Sequence, residues 1–202
     1  MESIHRWSQN GRVRLPLTRF FNPTHRNCGV WGFFLSLTLM NKKVYIIPGW
    51  QETCRRKQYQ NLSKALKNKG YNVVCKNVDW DKKMSEQIFE VEKDSIVFGF
   101  SMGALLARLI AQKYKNTLTI FASMTPLRHF KGGEQEKVLV DVVGKRLVKD
   151  IKKHLQPRLK SKSILLYGDK ENENADIVIK NTDHEISENY IREVVKLIKH
   201  NT

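Results

Sequence analysis

Acidic side chains are scarce in this chain: 20 Asp and Glu stand against 36 Lys and Arg, leaving a net charge of +16. A basic surface attracts nucleic acid, anionic lipid or an acidic protein. No aromatic-interleaved basic stripe and no nucleic-acid motif accompanies the charge, which argues against nucleic acid as partner. Cysteine is sparse as well, with Cys28, Cys54 and Cys75 only. An odd count without CxxC spacing argues against a disulfide framework or a zinc site and suits a reducing compartment. Cys54 and Cys75 read as small apolar packing residues. No G-x-G-x-x-G, P-loop or metal-ligand spacing occurs, so no cofactor is expected. Internal repeats and low-complexity segments are absent too.

The longest apolar run, Val30 to Met40, is too short to span a bilayer comfortably. It follows an Arg-rich, acid-poor stretch, as in a signal or transit peptide, yet no small-residue cleavage site follows it. Met40 leads straight into strand-like sequence, as a natural start would. Residues 1–39 are therefore set aside as a basic extension, a leader or an upstream translation, and residues 40–202 are taken as one domain. A cytoplasmic protein is expected, with no membrane partner unless residues 1–39 are a true targeting segment.

Beyond Lys43, strand-like and helix-like segments alternate. Val44–Ile47 reads as a strand closed by Pro48-Gly49. Lys57–Lys69 has apolar residues at helical spacing (Tyr59, Leu62, Leu66) and stops at Gly70. Strands are then expected at Tyr71–Val78, Ser95–Phe100, Thr117–Ala122, Ser163–Tyr167 and Ala175–Lys180. Helices are expected at Lys82–Glu92, from Ala104 to Tyr114, over most of Gln135–Leu155, and at Ser187–His200. This alternation predicts an α/β fold: a mostly parallel sheet of about six strands, covered by helices on both faces. In such sheets ligands bind beyond the carboxyl ends of the strands.

At one of those ends stands Gly99-Phe100-Ser101-Met102-Gly103. A Ser on a sharp strand-to-helix turn, bracketed by glycines where side chains would clash, is the nucleophile elbow of a serine hydrolase. The helix N-terminus behind it offers free N–H groups to a developing oxyanion. Ser hydroxyl is a weak nucleophile and needs an adjacent base. Of six histidines, His5 and His25 lie in the extension, His200 at the C-terminus and His154 in a basic helical stretch. That leaves His129, after the fourth strand, and His184, in the loop before the last helix.

With Ile47-Pro48-Gly49-Trp50, the elbow around Ser101, Tyr167-Gly168-Asp169-Lys170-Glu171 and Thr182-Asp183-His184 in view, residues 43–199 resemble the α/β-hydrolase superfamily in a minimal form. The superfamily's first two antiparallel strands have no counterpart after Lys43. The resemblance implies the chain order Ser, acid, His, hence Ser101 as nucleophile and His184 as base. It places the acid at Glu171, three residues after the Gly that ends the fifth strand, with Asp169 as the alternative. Asp176 and Asp183 fall outside that pattern. No carboxylate occurs between Asp94 and Glu134 to serve after the fourth strand instead. The same resemblance assigns the oxyanion hole to the N–H groups of Met102 and Trp50.

The implied activity is hydrolysis of a carboxylic ester or thioester through an acyl-serine intermediate. Acyl transfer by the same residues is an alternative, as is an inactive hydrolase fold kept for binding. The basic segment Lys145–Lys162 holds eight Lys or Arg and one Asp. It would suit an acidic carrier protein or an acidic substrate.

Overall fold

The computed structural model describes residues 42–201. The readings of residues 1–39, with His5, His25, Cys28 and the apolar run, lie outside the described residues, and so does the boundary at Met40. Six strands form one all-parallel sheet in the order β2-β1-β3-β4-β5-β6. They are β1 Lys43–Ile47, β2 Asn72–Cys75, β3 Ile96–Phe100, β4 Leu118–Ala122, β5 Ser163–Gly168 and β6 Ile177–Ile179. The helices are α1 Lys57–Lys67, α2 Met102–Lys113, α3 Glu134–Val143, α4 Lys145–His154 and α5 Glu188–His200.

Period-two alternation sends successive residues of each strand to opposite faces. Val44, Ile46, Ile96, Phe98, Leu118 and Ile120 pack with α1 and α5. Tyr45, Ile47, Val97 and Phe121 pack with α2, α3 and α4. Helix α2, nearly all apolar, is buried along most of its length, as a helix laid on the sheet centre must be. Strand order reverses between β1 and β3, and the segments leaving these two strands carry Trp50 and Ser101 to one hollow at the carboxyl edge of the sheet.

Three elements depart from the sequence expectation. The helix expected at Lys82–Glu92 is a single 3-10 turn, Met84–Gln87. There the buried Asp150 carboxylate takes both the Ser85 N–H (2.9 Å) and its hydroxyl (2.6 Å), and Gln87 bonds back to Asp79. The strand expected to reach Val78 ends at Cys75, because its neighbour β1 ends at Ile47 and Pro48 has no N–H for a ladder. The long helical stretch 135–155 breaks at Gly144, whose φ of 86° is open to glycine at little cost. The break lets Leu139 and Val143 on α3 and Leu147, Val148 and Ile151 on α4 reach one core.

Cys54 and Cys75 correct another expectation. They are not separate packing residues but a disulfide, with Cα atoms 6.1 Å apart. It pins the loop after β1 to the end of the neighbouring strand β2, beside a bond from Cys54 N–H to Asn77 (2.8 Å). The bridge closes a separation of 21 residues, so by chain entropy its removal costs roughly 3 kcal/mol. Cys54→Ser should lower the urea midpoint accordingly, and reductant should lower it in the native chain but not in the variant. Equal midpoints with and without reductant would contradict the bridge.

Candidate active site

Ser101 sits between the end of β3 and the start of α2 with φ 52° and ψ −123°, a conformation costly for a residue with a side chain. Its N–H is held by the Ala122 carbonyl of β4 (2.8 Å). The turn is this tight because both flanking glycines are pressed against backbone. A Cβ on Gly99 would lie 2.6 Å from Ala104 Cα and from the Gly103 oxygen. One on Gly103 would run into the Pro48 carbonyl and come within 2.7 Å of that of Ile47. The elbow thus depends on contact with the end of β1.

His184 reaches this turn from the loop after β6. Its Nε2 lies 2.9 Å from Ser101 Oγ and its Nδ1 2.7 Å from Glu171 Oε2. With the carboxylate ionised, the tautomer that satisfies both contacts carries its proton on Nδ1 and accepts from Ser101 through Nε2. Phe100 backs the imidazole, ring centroids 5.1 Å apart. Gly168 allows the loop to close: a Cβ there would collide with the Thr182 carbonyl, two residues before His184.

Glu171 ends a 3-10 turn, Asp169–Glu171, directly after β5. Its side chain is only 8% exposed. Oε1 accepts from the Gly168 N–H (2.8 Å) and the Ser123 hydroxyl (2.6 Å). Burial pushes this carboxyl up, but hydrogen bonds from His184, Ser123 and Gly168 outweigh it and hold its pKa below the ordinary glutamate range. A depressed folded pKa contributes stability that is present above the unfolded value. It is lost as pH falls through the folded pKa. Glu171→Gln should therefore flatten the acid limb of a stability–pH curve measured by denaturant, and an unchanged limb would contradict the assigned bonds.

Asp169, the alternative acid, is turned away from the imidazole. It accepts from the N–H groups of Asn181 and Thr182 (3.0 Å each) and so shapes the loop that carries His184. Asp176 accepts from Leu165 N–H and Asp183 from His184 N–H. His129 lies on the 3-10 turn Leu127–Phe130, and His154 bonds to Asp150 within α4. Neither approaches Ser101 by hydrogen bond.

Met102 opens α2, so its N–H has no carbonyl within the helix to meet. Trp50 occupies a turn closed by Glu52 N–H to Gly49 O (3.1 Å), a bond that leaves the Trp50 N–H outside it. Both residues line one hollow of about 350 Å3 with Ser101, His184, Glu52, Phe100, Thr125 and residues of α3. The Trp50 turn is braced from below. The hydroxyl of fully buried Tyr59 accepts from Gly49 N–H (2.9 Å) and donates to Glu52, which Arg56 and Gln58 also bind.

Sequence reasoning missed Ser123, Tyr59 and Glu52. Ser123 is wholly buried at φ 43° just past β4, and a left-handed serine at a strand's carboxyl end was its one local signal. The arrangement of Ser101, His184 and Glu171 is one in which a serine hydroxyl can pass its proton to an imidazole whose other nitrogen is held by a buried carboxylate. Among the described residues no cluster could hold a metal ion, and no helix is long and apolar enough to cross a membrane.

The chain has the α/β-hydrolase fold. It is similar to mouse α/β hydrolase domain-containing protein 10 (TM-score 0.58, 13% identity, covering 78% of this chain and 88% of that one). Est1E from Butyrivibrio proteoclasticus is similar too (TM-score 0.54, 13% identity, 79% and 86% covered). So is esterase B from Lactobacillus rhamnosis (TM-score 0.56, 12% identity, 79% and 75% covered). The sequence matches no protein-family profile and no curated protein.

Proposed function

We propose that this protein is a serine hydrolase of carboxylic esters or thioesters. What carries the reading is the contact chain from Ser101 Oγ through both ring nitrogens of His184 to the buried Glu171 carboxylate. Esterase B among the proteins of similar fold supports it, although the shared identity is low.

Ser101 Oγ attacks the acyl carbonyl as its proton moves to His184 Nε2. Glu171 holds Nδ1–H and stabilises the imidazolium that forms. The tetrahedral oxyanion lies between the N–H groups of Met102 and Trp50, the former at the positive end of α2. Collapse of the intermediate expels the alcohol or thiol, which takes the proton from His184. Water then attacks the acyl-serine by the same steps, releasing the acid and restoring Ser101.

Turnover of p-nitrophenyl esters tests the reading, and two variants test the acid. Glu171→Gln should lower kcat/KM on the order of 10⁴-fold, because an amide can hold the wrong tautomer of the ring. Asp169→Asn keeps an acceptor oxygen on the loop and should cost less than roughly tenfold. The reverse ranking would move the acid's role to Asp169, and absence of any turnover would remove the reading.

The basic segment lies on α4 and the loop beyond it, where Lys145, Arg146, Lys149, Lys152 and Lys153 are exposed and Asp150 is buried. An acidic carrier as acyl donor belongs to the same proposal, and would show as salt-sensitive binding.

A further inference from the structure

Helix α3 carries apolar side chains on its outside beside the site. Val138 and Val142 are 59% and 60% exposed, two of the three large hydrophobic residues so exposed among the described residues. They stand one helical turn apart, with Leu139 and Val143 forming a parallel inner row that reaches the core. Two hollows meet along these rows. The one at Ser101, about 350 Å3, is lined by Leu139, Val142 and Val143. The next, about 360 Å3, is lined by Val138, Leu139 and Val142 and bounded by His129, Glu134 and Gln135. Leu139 and Val142 belong to both, so an apolar track leads from the serine hydroxyl along α3 to a polar end.

An exposed apolar row costs a protein nothing when isolated, but one continuous with a reactive serine removes substrate methylenes from water. We propose that this track binds the acyl chain of a medium-chain ester or thioester whose carbonyl sits at Ser101, an inference that rests on the serine-hydrolase reading. The track's continuity with the hollow at Ser101 selects the occupant. The polar cap of His129, Glu134 and Gln135 sets its limit. A short acyl group fills only the inner hollow and gains nothing from Val138.

The test uses p-nitrophenyl acetate, butyrate, hexanoate and octanoate below their micelle concentrations, which holds the leaving group fixed. A methylene fully removed from water is worth roughly fourfold in binding. In a side-open groove it is worth less, so kcat/KM for octanoate should exceed that for acetate by at least about tenfold. Val138→Asp combined with Val142→Asp alters exposed positions and should bring the octanoate-to-acetate ratio toward one. A flat or falling series in the native chain would overturn the track, and so would an unchanged ratio in the double variant. Self-association sensitive to the double variant, with a flat series, would make the row a protein contact and likewise overturn it. Labelling rates with alkyl fluorophosphonates of matching chain lengths separate this from the reading beneath it. Ser101 labelled at a rate independent of chain length sinks the track alone. No labelling and no turnover sinks both.

Discussion

Ser101→Ala should lower kcat for ester hydrolysis on the order of 10⁵- to 10⁶-fold, with KM little changed. So large a loss is expected because, among the described residues, the Ser101 hydroxyl is the group hydrogen-bonded to His184 Nε2, and without it the proposed base would have nothing to activate. Any residual rate over uncatalysed hydrolysis would come from binding and from the proposed oxyanion donors, the N–H groups of Met102 and Trp50. The fold survives. Alanine keeps the Cβ that already occupies φ 52°, and Ser101 N–H still donates to Ala122. Circular dichroism and thermal unfolding alongside the kinetics separate lost chemistry from lost structure. A fall of less than about tenfold would mean that another group does the chemistry.

Gly103→Ala should be the most damaging small change to the fold. The added methyl meets the Pro48 carbonyl oxygen, the Ile47 oxygen and Pro48 C, all backbone atoms at the end of β1. Backbone cannot rotate aside as a side chain does, so α2 must lift from the sheet at its first turn. That movement opens a helix buried along most of its length and pulls the Met102 N–H away from the Trp50 turn. Overpacking against backbone of this kind costs about 3 kcal/mol or more. In a domain of this size that is a fall in Tm of roughly 6–12 °C. Differential scanning calorimetry reads it directly, and a Tm within about 2 °C of the native chain would contradict the contact.

Much of the fold was legible in the sequence because a buried parallel sheet writes apolar runs between helical periods. β1, β3, β4 and β5 fall within a residue or two of expectation. The elbow was legible for a local reason too: Gly99 and Gly103 answer to atoms within a few residues or on the adjoining strand. Gly144 sits inside a run of helical spacing, and its break between α3 and α4 shows only once the two helices pack on one core.

What could not be read depends on which strands become neighbours. Cys54 and Cys75 meet only because β2 lies beside β1, a pairing that no spacing encodes. Ser123 reaches Glu171 because β4 lies beside β5, and Tyr59 reaches Gly49 because α1 folds back beneath its own loop. Between Glu171 and Asp169 the decision rests on side-chain direction around a 3-10 turn, where residues two apart face different ways. The resemblance put Glu171 first and Asp169 second by position after Gly168; which of them meets the imidazole depends on the geometry of the turn.

A single experiment addresses the centre of this account: exposure of the purified protein to a fluorophosphonate probe, with the adduct mapped by peptide mass spectrometry. The account predicts one adduct, on Ser101, which disappears in His184→Ala because the hydroxyl then has no base. No adduct in the native chain, or an adduct on another residue that persists in Ser101→Ala, would contradict it.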